Sequence, residues 1–237
     1  MRWESQDLTV EVLHSVAGLA TQILVQAGSV ALLFDAGDGT LRDLHARGIS
    51  PHALTGVFFT HGHADHMAGL YGLLGYLRAE GHKGEFHIWY PRGACEVEEV
   101  LAAFHRCYRA NLPYALKTQP LQDGECVRLG ELEVWAKAVT HWHSIQGNPL
   151  APAPALGYRL VFRNQTVAIT GDSAMCPALV DLVRGADLAL IEATLKEDAP
   201  EEQRRFLHLT REQAETLGRL AKRAYFVHTR GVLGKEP

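Results

Sequence analysis

The chain has 237 residues, 47% hydrophobic and 21% charged, with a formal net charge of −4 and a pI near 6.3. That is enough apolar material for a sizeable core. It excludes a surface positive throughout for gripping nucleic acid, and no apolar run approaches the ~20 residues of a membrane helix.

The opening "MRWESQDLTV" lacks the apolar segment of a secretory signal, so the expected location is the cytoplasm. Strand-like runs rich in Val, Ile and Phe follow: "LTVEVLH", "TQILVQA" and "VALLFDAG". "LRDLHARG" reads as a helix closed by Gly48. "VFFTH" is a strand that runs into "THGHADHMAGL", and the helical pattern "AGLYGLLGYLRAEG" follows the histidine cluster. "FHIWY" and the helical "GACEVEEVLAAFHRC" come next, and then the alternating strand "ELEVWAKAVTH". The stretch Gln146 to Gly157, "QGNPLAPAPALG", has three prolines in six residues and reads as an extended loop rather than an element. "GYRLVFR" and "QTVAITGD" form a tight hairpin, and "CPALVDLVRGA" a helix. "DLALIEAT" is nearly continuous in apolar residues, as a strand buried on both faces would be. "TREQAETLGRLAKRA" opens on a Thr210/Gln213 capping box, and "AYFVH" closes the series. Early strands in a meander and later strands alternating with helices predict two packed sheets with helices outside, one domain over residues 1–237. Cys95, Cys107, Cys126 and Cys176 form no CxxC pair and read as buried free thiols.

Five apolar strands end in a residue able to hold a metal: Asp35, His61, His141, Asp172 and His228. Rigid strands that aim such side chains at one edge would build a preorganised site. The segment after "VFFT" adds His63, Asp65 and His66 to His61. One zinc ion needs about four donors, with one position left open in a catalytic site. The surplus predicts two ions, which could clamp the attacking and leaving oxygens of a phosphoryl group. A carboxylate such as Asp172 suits the bridging position. His14, His45, His52, His82, His87 and His105 read as ordinary surface or core residues.

"THGHADH" resembles the signature of the metallo-β-lactamase superfamily of metal-dependent hydrolases. "LLFDAGDGTLRDL", "LGYRL", "TGDS", "IEAT" and "HLTREQAETLGRLAKRAYFVHTRG" are similar to segments of its ribonuclease Z branch, so the likeness runs along nearly the whole chain. It implies an α+β, four-layer αβ/βα sandwich. It places His61, His63 and His141 on one metal, and Asp65, His66 and His228 on the second, with Asp172 bridging. Asp35 would orient a ligand from behind. Asp65 and His208 would be the catalytic residues, with His208 beside the scissile phosphate at a helix start, where anions are favoured. The metals would be two divalent ions, zinc by default, with manganese or iron acceptable to the same donors.

There are departures from the branch. "HLT" stands where the family has "HST". A register shift of two would put His143 in place of His141. Arg159 and Gly171 are joined by a short hairpin where tRNA-processing members carry a long arm. The expected function is therefore a phosphodiesterase using a metal-activated hydroxide on a small phosphodiester. The alternatives are a tRNA 3′-processing endonuclease, an ester, thioester or lactam hydrolase, and a two-iron redox protein. The redox reading is disfavoured by His63, which stands where such proteins carry an acid. Nucleic acid is a less favoured partner, no membrane is expected, and a homodimer is compatible with the chain.

Overall fold

A computed structural model describes residues 1–230. The chain separates into two compact units, Met1–His14 with Leu19–Leu121, and Ser15–Gly18 with the chain from Gln122 onward.

The first unit is built on a seven-stranded sheet whose strands lie in sequence order. β1 (Arg2–Ser5), β2 (Leu8–Val16), β3 (Ala20–Ala27) and β4 (Val30–Phe34) come first. β1 and β3 run antiparallel to β2 and β4 respectively. β5 (Gly56–Phe58), β6 (Glu85–Pro91) and β7 (Ala115–Leu121) then continue parallel to β4. Parallel neighbours need crossover connections, and helices supply them: α1 (Thr40–Ala46), α2 (Ala64–Met67), α3 (Leu70–Ala79) and α4 (Cys95–Tyr108). α3 buries Leu70, Leu73, Leu74 and Leu77, and α4 buries Val97, Leu101 and Phe104. The spacing of three and four residues puts each set on one helix face. These faces form one core with Leu33, Val57, Phe59 and Ile88.

The second unit has a six-stranded sheet with β8 (Cys126–Leu129), β9 (Leu132–Ala138), β12 (Leu156–Phe162), β13 (Gln165–Ile169), β14 (Leu188–Glu192) and β15 (Ala224–Val227), side by side in that order. β8, β9, β12 and β13 are antiparallel neighbours, whereas β13, β14 and β15 are parallel. α5 (Pro177–Val183), α6 (Glu201–Phe206) and α7 (Arg211–Gly218) accompany them. Leu179, Leu182, Val183 and Leu217 pack with Ala168, Ala189 and Ile191. β14 is buried at every position, as its continuous apolar run predicts. The capping box of α7 is formed by Thr210 and Gln213 as expected.

Two expectations are corrected, and one is refined. Gln146–Gly157 is not a structureless loop: β10 (Trp142–Ile145) and β11 (Asn148–Pro152) form a separate hairpin. Gln146 (φ 52°) and Gly147 (φ 78°) both take positive φ, which is the tight turn whose twist suits two strands. The prolines are tolerated because a two-stranded ribbon is all edge. The helix expected after the histidine cluster is α3, and the short α2 before it is set off at Ala68–Gly69, where the chain passes tightly over another backbone segment. The Gly69 N–H donates to the Ala36 carbonyl at 2.9 Å, and a Cβ on Gly69 would run into the Gly37 carbonyl. The four cysteines are free, but Cys95 and Cys107 are exposed and the other two half-buried. Among the described residues no helix is long and apolar enough to cross a membrane.

Candidate metal centre

In the first unit the donors lie at the ends of β4 and β5 and at the start of α2. Asp35 follows β4 in a left-handed conformation, φ 63°. A non-glycine residue is held there only when its surroundings over-determine it, and here they do. Asp35 Oδ1 accepts the Thr60 N–H at 2.7 Å, and Oδ2 accepts the Thr60 hydroxyl at 2.9 Å. His66 Nδ1 lies 2.7 Å from the same Oδ2. Asp35, His61 and His66 are fully buried, and His63 and Asp65 are half-buried. The His61 ring stands 4.1 Å from His66 and 4.6 Å from His63, centre to centre. Asp65 Oδ2 is 3.8 Å from His66 Nε2. Between the first two histidines, Gly62 lies against the Glu96 carboxylate from the first turn of α4, and a Cβ on Gly62 would collide with it.

In the second unit, donor atoms of His141, Asp172 and His208 lie within 4.8 Å of one another, and so do those of Glu192, His208 and His228. His141 is 3% exposed, and its Nδ1 donates to the Leu207 carbonyl at 2.8 Å. His228 follows β15 with φ 51°, and its Nδ1 lies 2.8 Å from Thr194 Oγ1. His208 Nδ1 donates to Glu192 Oε1 at 3.0 Å. His143 instead sits half-buried on β10. Among the described residues it joins no group of three or more metal-capable donors, and neither do His14, His45, His52, His82, His87 and His105.

Glu192 is the residue that sequence reasoning missed. It is 1% exposed at the end of β14. Oε1 also accepts the Ser173 and Leu209 N–H groups, each at 3.1 Å. Oε2 accepts the Thr194 N–H at 3.0 Å and its hydroxyl at 2.7 Å. An acid closing a run of buried apolar residues was the available signal.

The histidines share a pattern that tests whether this chain suits metal ions. His66, His141 and His228 each direct Nδ1 to a carboxylate, a carbonyl or a hydroxyl, and His61 Nδ1 lies 3.1 Å from Thr60 Oγ1. Such partners fix the tautomer and turn Nε2 toward a metal. Neutral imidazoles with carboxylates are a borderline donor set suited to first-row divalent ions. The residues fit.

A fold of two mixed sheets carrying buried histidines and aspartates at strand ends defines a metal-dependent hydrolase. The family model described as "Beta-lactamase superfamily domain" matches residues 31–229, and the chain belongs to that superfamily. It is 26% identical over 254 residues to ribonuclease Z of Archaeoglobus fulgidus, covering 90% of this chain and 81% of the relative. Among solved structures it is similar to the metallo-β-lactamase fold protein YhfI from Bacillus subtilis, with a TM-score of 0.77, 20% identity and coverage of 94% and 87% of the two chains. The short form of human tRNase Z superposes with a TM-score of 0.74, 22% identity and coverage of 93% and 92%. Divalent metal ions are the cofactors this fold implies.

Proposed function

We propose that the chain is a dinuclear phosphodiesterase acting on a small phosphodiester, with residues 1–237 working as one hydrolase domain in the cytoplasm. His61, His63 and His141 would hold one ion, and Asp65, His66 and His228 the other. Asp172 would bridge them. The reading draws on superfamily membership and on the oriented histidines within each unit. Two bound ions, zinc by default, would supply an activated water and neutralise charge on the phosphoryl oxygens.

The observation that carries the phosphodiester reading is the pair His208–Glu192. Glu192 is held by donors on both oxygens and fixes His208 Nδ1–H at 3.0 Å. With Nδ1 so engaged, His208 would serve the reacting group through Nε2, holding a proton for the leaving oxygen or stabilising charge on the phosphoryl group. Carbonyl hydrolysis on the same scaffold would not need that pair. Asp35 and Thr60 keep His66 and His61 in register, and Leu207 and Thr194 do the same for His141 and His228.

The second reading is a tRNA 3′-processing endonuclease, favoured by the relatives named ribonuclease Z and tRNase Z. Affinity for tRNA is largely phosphate contact by basic side chains. The β12–β13 connection is two residues, Arg163 and Asn164, and the net charge is −4. The test compares kcat/KM at equal salt for bis(p-nitrophenyl) phosphate, a thioester panel and a 3′-extended tRNA precursor, on protein of measured metal content. The small diester should give the highest value. Preference for the precursor returns the assignment to the endonuclease, and preference for a thioester removes phosphoryl chemistry altogether.

A further inference from the structure

The hairpin β10–β11 grows directly out of His141. Its base is closed by the Ala153 N–H donating to the His141 carbonyl at 2.9 Å. Its first residue, Trp142, lays its ring 4.4 Å from that of Phe206, the last residue of α6. The Arg205 guanidinium stands 5.1 Å from the Phe206 ring on the same helix. At the turn, a Cβ on Gly147 would come within 2.6 Å of Gln203 Nε2. The next residue after Phe206 is Leu207, whose carbonyl holds His141, and the one after that is His208. One short stretch of chain therefore fixes the hairpin, a metal-capable histidine and the catalytic candidate together.

Two further properties limit what the hairpin can recognise. No Asp, Glu, Lys or Arg occurs from His141 through Tyr158, so it offers nothing to a polyanion. Yet Ile145 and Leu150 near its tip are 64% and 57% exposed. An exposed aliphatic pair, a half-buried indole, a phenyl ring and a guanidinium stacked on it are the groups that hold flat aromatic rings.

We propose that the hairpin and α6 form a binding subsite for a planar, uncharged aromatic substituent, an aryl group or a nucleobase, carried by the scissile phosphate. This rests on the phosphodiesterase reading and narrows its substrate class to diesters with a ring on the retained side. Trp142, backed by Phe206, would stack on the ring, and Ile145 and Leu150 would cover its edge.

The experiment uses the metal-replete full chain and two diesters with the same leaving group, bis(p-nitrophenyl) phosphate and methyl p-nitrophenyl phosphate. Wild type should favour the aryl diester by about tenfold or more in kcat/KM, mainly through KM. The double variant Ile145→Ser/Leu150→Ser, and separately Trp142→Leu, should bring that ratio toward one with metal content unchanged. A wild-type ratio near one, or a ratio that no variant alters, overturns the proposal. So does a tip variant that changes the oligomeric state and leaves the ratio alone, since the tip is then a docking surface. Should the metal-loaded wild type hydrolyse neither diester, the phosphodiesterase reading fails. Calorimetry with diphenyl and dimethyl phosphate then decides the subsite: tighter diphenyl binding weakened by the variants supports it, and equal binding overturns it.

Discussion

Glu192 accepts hydrogen bonds on both oxygens and is buried, so its substitution is informative. Glu192→Gln keeps the volume but places an NH₂ group among donors, leaving at least one N–H without its acceptor. The expected result is a roughly 10–100-fold fall in kcat with KM and metal content little changed, accompanied by a displaced pH limb that a structural defect would not move. Gly62 supports a second residue-scale prediction. Gly62→Ala puts a methyl group against the end of the Glu96 side chain, which can swing aside at little cost. Competition against a chelator should then report metal binding close to that of wild type. Weakened binding that a second change, Glu96→Ala, restores would show instead that the Glu96 side chain cannot yield.

At the scale of elements, α7 begins with Thr210 accepting the Gln213 N–H, while Gln213 answers through its own side chain. Thr210→Ala should cost about 1 kcal/mol, read from denaturant unfolding. Because His208 lies two residues upstream, it should also lower kcat beyond what the stability loss explains. His52, on the segment after α1, and His82, after α3, face each other through Nδ1 atoms 3.3 Å apart. Burial first, and then the charge of His52, lower the proton affinity of His82. The folded chain thus binds fewer protons there than the unfolded chain, and stability rises with pH across the window. The contribution is present above the ordinary histidine value of about 6.5 and is lost as pH falls below it. In metal-free protein, His82→Gln should flatten this part of the stability–pH curve. An unchanged slope would show that other groups dominate.

For the whole molecule, ligand linkage makes a direct demand. Ions that bind only the folded chain stabilise it by about 2.7 kcal/mol at a hundredfold excess over Kd. Chelation should therefore lower Tm, and returning the metal should restore it in a concentration-dependent way. A Tm indifferent to chelation in protein stripped of metal would count against a centre of this kind. The order of strands and helices was largely legible, because period-two and period-3.6 patterns report local burial. The candidate donors stood out because HxHxDH has no packing role to explain it. Hidden features were those whose cause lies across space. Proline counted against a strand at 148–152, and only the Gln146–Gly147 turn and its packing on α6 overrule that signal. The apolar run ending in Glu192 reads as a strand, whereas its partners Ser173 and Leu209 lie 19 and 17 residues away. The helix break at Gly69 depends on the backbone of residues 36–37, which no local pattern reports.

One bond in the second unit has a consequence in time. The His228 N–H donates to Ser15 Oγ at 2.8 Å across 213 residues of chain, and Val16 pairs with Thr229 beside it. A ribosome adding ~5–20 residues per second needs roughly 10–40 s between the two partners. Until then Ser15–Gly18 waits, already made, for partners that do not yet exist. The first unit has all of its residues by Leu121 and can settle while synthesis continues, but the second can close only once His228 has been made. His228 therefore reaches its place after every other candidate ligand, so capture of metal through the proposed set would wait for its synthesis. Pulse-labelled ribosome-bound chains stalled at residue 220 should be protease-resistant through Leu121 yet hold fewer ions than released protein.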